Sequence, residues 1–124
     1  MEFRSDTMEI EEWKELVLQC VRSHVGATFA NLMQDIGEDA EGEYDLFVPG
    51  CANLVMWGGL DKGLCDAIAE LHREKRIRFE PDSAYLYAMD GRILPLPVAY
   101  VPKDYPDPHW CPVLIYPVAK ERTD

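Results

Sequence analysis

The residues best suited to chemistry form a run of cations near the middle of the second half of the chain. Arg73, Lys75, Arg76 and Arg78 fall within six consecutive positions. Guanidinium and ammonium groups are the usual contacts to phosphate oxygens. With two flanking cations added, the predicted nucleic-acid-binding residues are Lys62, Arg73, Lys75, Arg76, Arg78 and Arg92. The alternative is a solvated helix end, where cations complement the helix dipole and pair with nearby carboxylates.

The cysteine and histidine residues are candidate metal ligands. Cys20 and His24 are four positions apart, and His109 and Cys111 are two apart. These four side chains could in principle surround one zinc ion. Structural zinc sites, however, usually take ligands in tight pairs from loops, and the chain contains no CxxC pair. We therefore predict no metal site and no cofactor.

No catalytic signature surrounds the histidines. His24, His72 and His109 lie outside any GxSxG, HExxH or Cys–His pattern, and such patterns mark the commonest hydrolytic sites. Carboxylates are abundant, but their number in an acidic chain does not indicate general acid–base chemistry. We predict that the protein is not an enzyme.

The charge is strongly acidic and unevenly distributed. The net charge is −11, with 12 acids against 3 bases in residues 1–60 and 11 against 9 in residues 61–124. An acidic first half disfavours contact with nucleic acid through that half, since affinity for a duplex comes largely from cations that displace counterions. No apolar run reaches the ~20 residues of a membrane span, and no signal-peptide pattern opens the chain. We expect a cytoplasmic protein without membrane association.

Apolar spacing predicts three helices and a small sheet. Residues from Met8 to His24 have helical periodicity, and Thr28 and Gly37 bracket a second helix over 29–36. The acidic segment 37–45 is predicted to be a solvated loop, since its carboxylates do not keep the spacing of a calcium loop. Residues 54–57 (LVMW) predict a strand, Gly58 and Gly59 a turn, and 61–75 the third helix.

The next segments predict a β-hairpin and then an extended tail. Residues 76–80 alternate between polar and apolar, and 85–88 predict the returning strand after a turn at 81–83. Seven of the nine prolines lie from Pro95 onwards, which excludes helix there. The tail is nevertheless rich in large apolar side chains, so we expect it to pack on the domain or on a partner copy. Its VLIYPV stretch predicts an edge strand.

The helix and hairpin read AIAELHREKRIRFEP…AYLYAMDGRILPLP, and here the sequence resembles winged-helix domains of the helix-turn-helix superfamily. The resemblance covers residues 8 to 98. It implies an α+β fold: a small winged-helix domain of three helices with a short β-sheet and wing hairpin. We predict that residues 1–98 form this domain and that 99–124 form an extended, proline-rich C-terminal segment.

Two functions follow from this resemblance. In DNA-binding winged-helix proteins the last helix enters the major groove and the wing contacts the backbone, which implies a dimeric regulator that binds duplex DNA. The last helix here also carries Asp66, Glu70 and Glu74, which would meet phosphate potential. The alternative is an acidic protein–protein interaction module on the same scaffold, a homodimer or a binder of a basic protein, that does not bind DNA.

Overall fold

The computed structural model describes residues 8–118, which form an α+β arrangement of four α-helices and five short strands. One 3₁₀ turn, Glu38–Ala40, precedes the first strand. The elements in order are α1 (Ile10–Ser23), α2 (Phe29–Ile36), β1 (Glu41–Phe47), β2 (Leu54–Leu60), α3 (Lys62–Arg73), β3 (Ile77–Pro81), α4 (Tyr85–Ala88), β4 (His109–Trp110) and β5 (Val113–Pro117). None of the described helices is long and apolar enough to cross a membrane.

The strands form two small sheets. One has the order β1–β2–β4, in which β1 and β2 are antiparallel and β2 and β4 are parallel. The other consists of β3 and β5, paired antiparallel with Phe79 opposite Ile115. Ala27, between α1 and α2, forms an antiparallel bridge with Ile115. A residue from the first quarter of the chain thus extends the β3–β5 sheet.

The core lies between α1, α3 and the sheets. Trp13, Val17 and Val21 recur along the buried face of α1, and Leu64 and Ile68 lie on the buried face of α3. Each such side chain contributes about 1.5–3 kcal/mol when it is fully removed from water. The packing of α1 on α3 therefore determines which side of α3 is buried and which sides can contact other molecules.

The prediction for α2 is confirmed at both ends. The Thr28 side chain accepts a hydrogen bond from the Asn31 backbone N–H, and the Asn31 side chain accepts one from the Thr28 N–H. At the other end Gly37 has a φ of 91°, a conformation that glycine adopts without steric penalty. Local capping chemistry thus marks both ends of this helix.

The solvated loop predicted over residues 37–45 is wrong. After the 3₁₀ turn, Glu41–Phe47 form β1, which pairs with β2 through several register shifts. Both Glu41 and Tyr44 lie opposite Leu60, so the strand bulges there. A strand forms despite its acidic composition because its carboxylates stay exposed while β2 supplies the hydrogen bonds.

The predicted turn at Gly58 and Gly59 is also wrong, because both residues continue β2 as far as Leu60. Gly59 has a φ of 73°, which fits the irregular pairing with β1. The chain turns instead at Asp61, whose side chain accepts a hydrogen bond from the Gly63 N–H at 2.8 Å and caps α3. The cap sets the start of α3, and the helix ends at Arg73 rather than at the predicted residue 75.

The predicted wing hairpin is wrong in its second strand. Tyr85–Ala88 form one helical turn, α4, and β3 pairs instead with β5. The cause is Tyr87, which is buried and whose hydroxyl accepts a hydrogen bond from the Phe29 N–H at 3.0 Å and donates one to the Val113 carbonyl at 2.7 Å. The hydroxyl thus satisfies one of the free N–H groups that begin α2. With α4, the described residues contain four helices rather than the predicted three.

Candidate interaction surface

The side of α3 that faces α1 carries a cluster of charges around Lys14. This lysine is buried, with 6% of its side chain exposed, and its Nζ lies 2.5 Å from a carboxylate oxygen of Glu70 and 2.9 Å from one of Glu74. Glu11, one turn earlier on α1, contributes a third carboxylate at 3.6 Å. The cluster joins the middle of α1 to the end of α3.

The contacts within the cluster shift the pKa values of Lys14 and Glu74 in opposite directions. Hydrogen bonds to Glu70 and Glu74 raise the pKa of Lys14 above its ordinary value of 10.5. The hydrogen bond from Lys14 lowers the pKa of Glu74 below 4.5. Both shifts favour the charged forms, so the ammonium group of Lys14 and the carboxylate of Glu74 form an ion pair at neutral pH.

Sequence reasoning treated Glu70 and Glu74 as outward residues and overlooked Lys14. A signal was present, since Lys14 lies four residues after Ile10 and three before Val17, both on the apolar stripe of α1. A cation on such a stripe needs a carboxylate on the helix packed against it. The two glutamates are thus committed to a contact within the domain.

Three of the predicted nucleic-acid-binding residues are close together and are paired with carboxylates. Arg73 lies 3.7 Å from Glu70, and Arg76 lies 3.8 Å from Glu74. Arg78 forms an ion pair with Glu80, and its guanidinium carbon lies 4.5 Å from the centre of the Tyr116 ring. Each guanidinium therefore has a neutralising neighbour, which reduces the positive potential of the patch.

The other three predicted residues are placed differently. Lys62 begins α3, about 16 Å along the helix axis from Arg73 at 1.5 Å per residue, and forms an ion pair with Asp66 at 2.9 Å. Lys75 is exposed, has a φ of 61° in the turn after α3, and makes no ion pair with the residues in 8–118. Arg92 is exposed in the segment after α4. Lys62 therefore lies away from the cations at the end of α3, with which it was grouped in the sequence.

The opposite side of α3 borders an apolar groove, which sequence reasoning did not identify. Two adjoining cavities of about 320 Å³ each share Pro49, Met56, His72 and Phe79. The remaining lining residues are Leu46, Phe47, Ile68, Ala69 and Arg73 in one cavity and Val48, Leu54, Pro81, Tyr100, Pro102, Cys111 and Val113 in the other. The groove brings together β1, β2, α3, β3 and the proline-rich segment, a combination that no local sequence pattern would reveal.

Aromatic side chains at this groove remain open to solvent. Phe47 is 43% exposed and Tyr100 is 45% exposed, while His72 stacks on Phe79 with ring centres 5.0 Å apart. Phe47 ends β1, the strand whose exposed residues include Glu41, Glu43 and Asp45. The groove therefore combines an apolar floor with an acidic strand that leads away from it.

The cysteine and histidine residues considered for zinc separate into two places. Cys20 and His24 lie near Asp35 at the ends of α1 and α2. Cys111 borders the apolar groove, and a ring nitrogen of His109 lies 2.8 Å from the Asp107 carbonyl. The four side chains do not surround a common point.

Comparisons with protein-family models, with curated proteins and with solved structures found no match to this chain.

Proposed function

We propose that this chain is a protein-interaction module on a winged-helix scaffold, and that it binds a basic protein segment in the apolar groove beside α3. The observation that carries the proposal is the groove itself, with Phe47 and Tyr100 exposed at its edge in a chain of net charge −11. Exposed aromatic side chains beside a concave apolar surface are typical of interaction sites.

The connectivity supports a winged-helix scaffold. As in that fold, three helices precede a pair of antiparallel strands, here β3 and β5, and a short extended segment between the first two helices joins the same sheet, here at Ala27. β1 and β2 would then be an insertion between the second and third helices. The segment 82–112 would replace the short tip of the wing.

The charges support a basic partner. The carboxylates of β1 are exposed, and β1 is the outer strand of its sheet with one neighbour, β2, among the described strands. Opposite charges at the rim of an interface raise association rates and exclude partners of like charge. A partner segment that places lysine or arginine beside β1 and apolar side chains in the groove would satisfy both features.

The experiment is selection from a random peptide library displayed on phage, with the full chain as bait. Enriched peptides should combine basic residues with large apolar ones, and they should lose binding to an Ala69→Lys variant. Ala69 is exposed on α3 and lines the groove, so a lysine there adds both bulk and a repelling charge. Lysine is a good helix former and leaves α3 intact.

A matched control carries the same charge change elsewhere. Gln19 is exposed on α1, and the Gln19→Lys variant should bind the selected peptides like the parent chain. The proposal fails if no sequence is enriched, or if both variants bind equally. A second copy of the chain is a different possible occupant of the groove, and sedimentation of the chain alone tests for such a homodimer. If the chain dimerises and Ala69→Lys abolishes the dimer, the groove binds a second copy and not the proposed basic partner.

The second candidate is duplex DNA bound through the cations at the end of α3. It is favoured by Lys75, an exposed cation without an ion pair among residues 8–118, beside Arg76 and Arg78. An electrophoretic shift with mixed duplex DNA, lost in the double variant Arg76→Glu, Arg78→Glu and weakened steeply by salt, would support it. Unchanged mobility at low salt would remove it.

A further inference from the structure

We propose that Cys20, His24 and Asp35 form a zinc-binding site that joins the end of α1 to the end of α2. The site is separate from the groove, and its residues have no role in the proposed function. Cys20 and His24 come from α1 and the position directly after it, and Asp35 comes from the last turn of α2.

The three donor atoms already lie close together. The sulfur, a ring nitrogen and a carboxylate oxygen all fall within 4.8 Å of one another, and His24 Nε2 is 3.1 Å from Asp35 Oδ2. Around a tetrahedral zinc ion, bond lengths of 2.0 to 2.3 Å place neighbouring donors roughly 3.3–3.6 Å apart. Cys20 lies in the last turn of α1 and His24 is the residue that ends the helix, so both ligands come from the same end of α1.

The chemistry of the donors favours zinc among the common divalent ions. Thiolate and imidazole ligands select zinc over calcium and magnesium, which take oxygen ligands. A thiolate, a neutral imidazole and a carboxylate carry two negative charges together, which match the charge of the ion. The site would therefore be electrically neutral when occupied.

Zinc binding through a cysteine is coupled to proton release. The thiolate, not the thiol, is the metal ligand, and an unperturbed cysteine thiol is mostly protonated at neutral pH. Zinc binding through Cys20 should therefore release about one proton per ion, which is a signature separate from affinity.

The site is open on one side. The side chains of His24 and Asp35 are 32% and 42% exposed, so an ion can enter from solvent and keep a water molecule or another ligand in its fourth position. A zinc ion bound by these three residues would link the two ends of the turn at residues 24–28, where Ala27 pairs with β5. Occupancy should therefore stabilise the junction of α1, α2 and the β3–β5 sheet.

The test uses the full, tag-free, reduced chain with zinc and with cobalt(II). Calorimetry should show one zinc ion per chain, with proton release in buffers of different ionisation enthalpy. Cobalt should give a thiolate charge-transfer band and tetrahedral ligand-field bands, and zinc should raise the melting temperature. His24→Ala and Asp35→Asn should each weaken binding by roughly tenfold or more, since even outer-shell changes reach that range. Cys20→Ser should abolish the charge-transfer band.

Matched controls are available for each ligand type. Cys51→Ser, His109→Ala and Asp66→Asn change the same residue types elsewhere, and each should bind zinc like the parent chain. His24 and Asp35 are partly exposed, so their variants keep the test valid if Cys20→Ser does not fold. Absence of saturable binding, or binding that all three ligand variants leave unchanged, would overturn the proposal.

Discussion

The two sides of α3 differ in how they meet the rest of the chain. Toward α1 the helix is closed, since Gly63 abuts Trp13 and Glu70 and Glu74 hold the buried Lys14. Toward β1 and β3 it is open, because Ile68, Ala69 and His72 border an apolar groove. One helix thus has a side committed to folding and a side with apolar surface left uncovered by residues 8–118.

This difference between the two sides of α3 changes how the carboxylates of the helix are interpreted. Viewed along the helix, Glu70 and Glu74 look like outward acids that repel a phosphate backbone. In the structure they neutralise Lys14, and they also lie near Arg73 and Arg76. They are consequently weak indicators of what α3 binds, and the uncovered apolar side is the stronger indicator.

The largest effect is expected from Lys14→Met, which removes the cation from the closed side. Glu70 and Glu74 would then share a partly buried site with only the exposed Arg73 and Arg76 as counter-charges, and breaking a buried pair is far more damaging than replacing it completely. The melting temperature should fall more than in any other variant described below. Thermal denaturation followed by circular dichroism measures the loss.

Two further variants isolate the cause. In the triple variant Lys14→Met, Glu70→Gln, Glu74→Gln the unpaired charges are gone, so much of the lost stability should return. Lys62→Met breaks an exposed ion pair with Asp66 on the same helix and should leave the melting temperature unchanged. A triple variant no more stable than Lys14→Met would show that packing of the lysine stem, rather than charge, holds α1 to α3.

The next effect is expected from Gly63→Ala, at the close approach of α3 to α1. A Cβ at this position would overlap the Trp13 ring, with Cδ1 at 3.0 Å. Alanine normally stabilises a helix relative to glycine by up to about 1 kcal/mol, whereas overpacking costs about 1–3 kcal/mol. We expect net destabilisation of about 1 kcal/mol, measured by urea denaturation, from the balance of these terms.

Trp13 provides the compensating change. Its indole N–H is buried without a hydrogen-bond partner among the described residues, so Trp13→Phe removes both that group and the overlapping ring edge. The double variant Trp13→Phe, Gly63→Ala should lose less stability than the sum of its two single changes, a coupling that a double-mutant cycle detects. Strict additivity would place the strain elsewhere.

A smaller effect is expected from pH, again on the closed side. Because the folded pKa of Glu74 is lowered below 4.5, its contribution is present above that pH and is lost as the pH falls through the folded value. The raised pKa of Lys14 keeps its contribution present below 10.5 and removes it only as the pH rises through the folded value. On acidification, parent chain and Lys14→Met should converge in melting temperature, and curves that remain parallel would contradict the assignment.

Local signals made part of this fold predictable. The Thr28 cap and Gly37 stop of α2, and the strands predicted at 54–57 and 76–80, depend on residues next to one another in sequence, and the structure has β2 and β3 there with different ends. The helix at Tyr85–Ala88 does not, because its alternating tyrosines match a strand equally well. Its conformation is decided by a hydrogen bond that the Tyr87 hydroxyl accepts from the Phe29 N–H and one that it donates to the Val113 carbonyl, 58 and 26 residues away.

The candidate site was less predictable for the same reason. The cation run from Arg73 to Arg78 and its possible pairing with nearby carboxylates were both visible in sequence, whereas the contact between Arg78 and Tyr116 of β5 was not. The groove depends on β1, and the acidic composition of β1 led to the prediction of a loop there. A surface built from five segments can be recognised only in the tertiary structure.

The smallest effect on stability is expected from Ala69→Lys, which completes the comparison from the open side. The position is exposed, and surface changes outside special sites usually fall within about ±0.5 kcal/mol. Urea denaturation should therefore match the parent chain, although binding of a groove ligand is lost. A large destabilisation would mean that the groove side is closed as firmly as the α1 side. The two sides of α3 would then be alike, and the proposed binding surface would have to be sought on another element.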